Sequence, residues 1–130
     1  MIYKTRQKKH GNVKTEYNGR TYDSKFEAGV ARDLDIKLKA GEIQSWEPQF
    51  KVECIPYDAN GKAVPKCKVS HKVDFRILNN DGSYTLLEAK GFETPDYKMR
   101  RKWLLNFWLP SNLDHNYEVV YLNKKGWRSL

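Results

Sequence analysis

The spacing of apolar positions changes several times along this chain, and each change marks an element. The short runs Lys14-Thr15-Glu16-Tyr17 and Arg20-Thr21-Tyr22 flank Asn18-Gly19, and Asn-Gly between two such runs predicts a two-residue hairpin. From Phe26 the period lengthens. Phe26, Val30, Ala31, Leu34 and Leu38 recur at helical spacing. Asp23 or Ser24 stands where an N-cap is needed, Glu27 follows Ser24 by three as in a capping box, and Gly41 stops the helix. Glu27 borders the apolar stripe of this helix instead of lying opposite it.

Period two then takes over. Ile43 to Trp46 and Gln49 to Pro56 read as strands separated by a bend at Pro48, with Phe50, Val52 and Cys54 alternating against Lys51 and Glu53. A polar connection from Tyr57 to Pro65 leads to a long strand, Lys66 to Leu78, expected to return antiparallel to the one before it. Its alternation sets Val69, His71, Val73, Phe75 and Ile77 on one face and Lys72, Asp74 and Arg76 on a wetter one. Asn79-Asn80-Asp81-Gly82 predicts a turn into a strand from Tyr84 to Lys90. Thr94 as N-cap and Pro95 at the first helical position open a second helix, which runs through Trp103 and Phe107 and ends at Pro110. Tyr117 to Leu122 is a last strand, and Lys124-Lys125-Gly126-Trp127 a basic, aromatic tail. The order hairpin, helix, three or four strands, helix, strand predicts an α+β fold with α/β-type layers, a mixed sheet flanked by two helices. Residues 14–130 are expected to form one domain, and residues 1–13 a flexible basic arm.

Charge sharpens this picture. The 130 residues carry a formal net charge of +8, which favours a polyanionic partner, nucleic acid above all. The basic residues gather at the ends. Lys4, Arg6, Lys8, Lys9, Lys14 and Arg20 face only Glu16 within residues 1–22, and Lys98, Arg100, Arg101, Lys102, Lys124, Lys125 and Arg128 face only Asp114 and Glu118 within residues 98–130. Of these, Lys4, Arg6, Lys8, Lys9, Lys14, Lys98, Arg101, Lys102, Lys124 and Lys125 are the candidate DNA contacts. With two cysteines, no secretory segment and no long apolar run, the chain is expected to be cytoplasmic with no membrane partner. Cys54, Cys67 and His71 lack a fourth ligand at finger-like spacing, so no zinc is expected, and the cysteines are read as buried and free. His71 is read as a core or edge histidine, and His10 and His115 fall in loops.

The acids gather in the middle. Glu88 and Lys90, two residues apart on one strand, share a face, and Asp74 on the neighbouring strand can reach that face if the register allows. Two carboxylates with an ammonium beside them suit a divalent metal and a phosphodiester. The carboxylates of Asp74 and Glu88 and the backbone carbonyl of Ala89 can hold Mg²⁺, with Mn²⁺ able to substitute. Lys90 can orient or help deprotonate an attacking water, and Glu27 can add a third carboxylate. A surface ion-pair ladder is the structural alternative for the same spacing.

Asp74, Glu88-Ala89-Lys90 and the upstream helical Glu27 resemble the PD-(D/E)XK signature of the restriction-endonuclease-like nucleases. More narrowly, residues 17–28 around Tyr17-Asn18-Gly19-Arg20-Thr21-Tyr22, together with Gln49-Phe50, Val73-Asp74-Phe75, Glu88-Ala89-Lys90-Gly91 and Val119-Val120-Tyr121, are similar to the phage-encoded DUF1064 family. The resemblance spans about Gly11 to Trp127, and it departs from the signature where Val73, not proline, precedes Asp74. It implies an αβββαβ core, a Mg²⁺-dependent DNA endonuclease and a phage or prophage source. It also implies a homodimer resembling Holliday-junction resolvases, acting on branched or duplex DNA. The competing expectations are a non-catalytic DNA- or junction-binding architectural protein and, ranked lower, a sequence-specific restriction enzyme.

Overall fold

The computed structural model describes residues 13–123 and 126–129. The expected flexible arm lies outside the described residues but for Val13. Strands β1 (Thr15–Tyr17) and β2 (Arg20–Tyr22) pair antiparallel, and both turn residues have positive φ, 51° at Asn18 and 82° at Gly19. Such a turn follows the right-handed twist of the strands, and Asn-Gly adopts it at little cost. Helix α1 (Lys25–Lys39) begins at Ser24, whose Oγ accepts the Glu27 N–H at 3.1 Å, and Gly41 (φ 77°) follows its end. Asp35 of this helix accepts hydrogen bonds from the Tyr17 hydroxyl at 2.6 Å and the Trp46 indole at 2.9 Å. One carboxylate thereby ties hairpin, helix and the following strand together.

The main sheet runs β3 (Ile43–Cys54), β4 (Val69–Asn79), β5 (Tyr84–Lys90), β6 (His115–Asn123) and β7 (Gly126–Ser129) in that spatial order. Every neighbouring pair is antiparallel except β5 and β6, which are parallel and joined by helix α2 (Pro95–Trp103). The α+β class and its mixed sheet are thus as the sequence predicts, with a helix, three strands, a helix and a strand in order. Thr94 caps α2 by accepting the Tyr97 N–H at 3.1 Å, with Pro95 in the first turn. The helical path then widens into a π turn (Leu104–Trp108) and tightens into a 3₁₀ turn (Leu109–Ser111) that contains Pro110.

Other expectations need correction. Ile43 to Cys54 is one strand, Lys66 belongs to a 3₁₀ turn (Pro65–Cys67), and Gly126-Trp127 lies in β7, whose register with β6 runs from Val120–Ser129 to Asn123–Gly126. His115 opens β6 instead of lying in a loop. Cys54 is half-buried and Cys67 exposed, both free.

Adjacent residues of β5 pack into different clusters, so the sheet is covered on both faces. Leu87 joins Phe75, Ile77 and Val120 beneath Val30, Ala31 and Leu34 of α1. Leu86 joins Val52 and Val73 beneath Leu104 of the π turn, with Phe50, Trp108 and Tyr117 at the margin. At one end of that second layer, the Arg76 guanidinium lies between the Phe50 and Tyr84 rings, 4.1 and 4.2 Å from their centroids, and the His115 ring stacks on Tyr84 at 4.7 Å.

Strands β3 and β4 exchange faces part-way along. Trp46 packs with the α1 layer, whereas Phe50 and Val52, of the same parity, pack with the other. Likewise Phe75 faces α1 and Val73 faces away from it. The pairs Pro48–Phe75 and Phe50–Val73 place Gln49 opposite Asp74, so both strands cross over at one level. Gln49 has φ of 60°, a left-handed residue inside a strand.

Candidate functional site

The crossover level is also where β4 and β5 part. Their ladder runs from Leu78–Tyr84 to Phe75–Leu87 and stops. One residue further, the Asp74 carboxylate takes the place of a backbone partner, with Oδ2 accepting the Ala89 N–H at 2.8 Å. Asp74 is half-buried, wetter than Val73 and Phe75 on either side of it, as the alternation expects. Burial pushes its carboxyl well above the ordinary range, Glu88 and Glu27 push the same way, and the Ala89 N–H and Lys90 oppose them.

Glu88 is 1% exposed and hydrogen-bonds His71 Nε2 through its Oε2. The His71 ring also packs against Tyr97 of α2, with centroids 5.9 Å apart. Unbroken alternation groups His71 with Val73 and Phe75 as a core or edge histidine. The crossover breaks that grouping, so His71 stays with Val73 and reaches the buried acid. Lys90 shares the Glu88 face as expected, and its Nζ lies 4.0 Å from the Tyr97 ring centroid. The hydroxyls of Tyr97 and Tyr117 are 2.6 Å apart; burial pushes that of Tyr97 up to about 12 and raises that of Tyr117 too. Both stay neutral, and neither adds negative charge beside Lys90.

Glu27 enters from α1. It is 7% exposed, and burial pushes its carboxyl up to about 7, helped by Asp23 and Glu88 and opposed by Lys90 and Arg20. Its backbone N–H makes the Ser24 half of a capping box, while its carboxylate turns away and accepts from Gln49 Nε2 at 3.3 Å. Asp74, Glu88, Lys90 and Glu27 therefore lie within one another's electrostatic reach, and His71 and Gln49 join them. Gln49 lies in the Gln49-Phe50 pair of the family resemblance, though with no role attached to it, and no motif flags His71. The sequence signal of His71 is a polar side chain at a position that the alternation assigns to the sheet interior.

Among the described residues, no three His, Cys, Asp or Glu side chains stand close enough to form a ready-made metal cage. The donor chemistry nonetheless fits a hard divalent cation. Half-buried Asp74 and buried Glu88 are acids whose charges oppose each other, and Mg²⁺ takes one or two carboxylates while keeping several waters. Ala89, whose N–H holds Asp74, stands between Glu88 and Lys90 in the strand, so its carbonyl is a further oxygen donor beside them in the chain.

The basic residues divide into three groups. Lys98 and Lys102 are exposed on α2. Arg101 is engaged with Glu93 at 3.1 Å, and Lys14 pairs with Asp23 at 3.2 Å on the open surface. Lys4, Arg6, Lys8, Lys9, Lys124 and Lys125 lie outside the described residues. Among those described, no helix is long and apolar enough to cross a membrane.

A family model described as "Protein of unknown function (DUF1064)" matches residues 7–120. The chain belongs to the DUF1064 family. The DUF1064 match takes in the hairpin, Glu27, Gln49, His71, Asp74 and Glu88-Ala89-Lys90, and ends within β6. No curated protein and no solved structure matches the chain.

Proposed function

We propose that this DUF1064 protein is a metal-dependent DNA endonuclease of the PD-(D/E)XK type. The observation that carries the reading is the pair of acids at the parting of β4 and β5, half-buried Asp74 and buried Glu88, with Lys90 on the same face as Glu88. Two such charges in a largely enclosed place destabilise the free protein, an arrangement retained where a cation binds.

In this reading Asp74 and Glu88 hold Mg²⁺ or Mn²⁺, with the Ala89 carbonyl and Glu27 contributing directly or through water. The metal, when bound, supplies charge neutralisation at the scissile phosphate and a more acidic water. The chain's own residues do the rest. The Ala89 N–H fixes the Asp74 carboxylate, and His71 fixes Glu88, as hydrogen bonds behind a ligand generally do. Lys90, held over the Tyr97 ring within electrostatic reach of Asp74 and Glu27, can orient the water or steady the phosphate. Exposed Lys98 and Lys102 provide phosphate contacts along one side.

The net charge of +8 in a small single domain favours cutting by DNA shape over reading of bases, so the preferred substrate is branched DNA such as a four-way junction, in phage or prophage DNA processing. A junction presents two strands to cut, which calls for a homodimer.

The test is cleavage of labelled four-way junctions, flaps, duplex and single strands with Mg²⁺, Mn²⁺ or EDTA, with Lys90→Ala alongside. Metal-dependent cuts lost in the variant support the reading. Tight DNA binding with no cut under any metal overturns it and favours an architectural protein.

A further inference from the structure

We infer that Gln49 is a positioning residue of this site, held in a costly backbone conformation so that its amide keeps the Glu27 carboxylate facing Asp74 and Glu88. The inference rests on the nuclease reading and extends it to a residue outside the acid and lysine set.

Three observations converge on it. The first is the backbone. A non-glycine residue at φ 60° is uncommon and costs free energy, and glutamine lacks the short side chain that makes Asn or Asp tolerable there. A strand could avoid that cost with glycine. Such outliers persist where the surroundings over-determine them, and they cluster at functional sites.

The second is place. Gln49 stands opposite Asp74 at the level where β3 and β4 exchange faces and where the β4–β5 ladder ends. The left-handed residue is what turns the β3 side chains from one layer to the other, and it directs the Gln49 side chain toward α1.

The third is the bond. Gln49 Nε2 donates to Glu27 Oε2 at 3.3 Å. Glu27 has an alternative, because its carboxylate could complete the capping box at Ser24, whose Oγ already accepts the Glu27 N–H. Repulsion from Asp23 and Glu88 acts on Glu27 in its present position. A neutral donor opposite it is what holds the carboxylate there against that repulsion, and an amide can do so without adding a charge that a metal or phosphate would feel.

The test uses Gln49→Gly, which keeps the left-handed backbone without strain and deletes the amide, with Gln49→Asn as the conservative variant. Each is made in the full chain and in a Glu27→Ala background. Thermal melting and Mg²⁺- or Mn²⁺-dependent cleavage of a labelled four-way junction are measured together. The expected result is a Gln49→Gly melting temperature at or above wild type with kcat lowered about 10- to 100-fold and KM for DNA unchanged. Gln49→Asn should recover part of the rate, and Gln49→Gly should cost nothing further once Glu27 is alanine. A Gln49→Gly protein that melts lower, or that cuts as wild type does, overturns this inference alone. Equal losses with and without Glu27 also overturn it. A wild type that cuts no substrate with any metal overturns the inference together with the nuclease reading.

Discussion

Replacing Glu27 with glutamine should stabilise the metal-free protein at alkaline pH and barely at all in acid. The carboxyl of Glu27 is pushed from its ordinary 4.5 to about 7, first by burial and then by Asp23 and Glu88. An acid whose folded-state value is raised binds its proton more tightly when folded. Below 4.5 both states are protonated and the group contributes nothing; between 4.5 and about 7 only the folded state keeps the proton; above about 7 the full cost of the buried charge is felt. That cost is about 3 kcal/mol at pH 8 and less than about 1 kcal/mol at pH 5. Gln at 27 is nearly isosteric and can still accept from Gln49, so the hydrogen bond survives while the charge is removed. For a domain of this size the gain corresponds to on the order of 10 °C in Tm at pH 8. Thermal melts of wild type and Glu27→Gln in EDTA, at pH 5 and pH 8, measure it. A variant that gains equally at both pH values, or loses stability at pH 8, refutes the account of Glu27 as a buried, charge-stressed acid.

Asp74→Ala and Glu88→Ala should abolish cleavage while DNA binding is kept or tightened, since each removes negative charge near phosphate; gel shift beside a cleavage assay checks this, and parallel loss of both would point to misfolding. Mg²⁺ or Mn²⁺ should raise the Tm of wild type and leave Asp74→Ala unmoved, read by the same melts with and without EDTA. His71→Ala, which removes the partner of buried Glu88, should lower cleavage about 10- to 100-fold with the fold intact by circular dichroism. Leu104→Ala, at a residue 1% exposed in the layer over Val52, Val73 and Leu86, should cost about 2–5 kcal/mol in urea unfolding without changing which substrate is preferred.

Local chemistry made much of the fold legible. Ser24, Thr94, Pro95, Gly41 and Asn18-Gly19 act within a few residues of themselves, so their positions mark the caps and the turn directly. Glu88 and Lys90 sharing a face follows from the pleat alone. The sides of β3 and β4 were not legible, because alternation assumes an unbroken pleat and the crossover at Gln49 and Asp74 inverts every later parity. This is why alternation alone groups His71 with Phe75 although the two lie on different faces. Strand β7 is hard to read in the sequence for another reason. Four residues with a glycine and a serine carry little periodic signal, and their pairing with β6 is decided by the neighbouring strand. The widening of α2 into a π turn leaves no mark in the sequence either, since helical spacing reads the same on either side of it.

The left-handed residue in β3 also bears on how the protein avoids sticking to itself. Among the described strands β3 is the outermost on its side, twelve residues long, and so offers a row of backbone groups to any passing chain. Pro48 has no backbone N–H to give to another strand, and Gln49 at φ 60° interrupts the regular backbone just beyond it. Lys51 and Glu53, tied to each other at 3.1 Å, add charge to the remainder. The irregularity that aims Gln49 at Glu27 thereby splits a long template into two short ones, and a regular strand there would leave an edge open to fibrillar pairing.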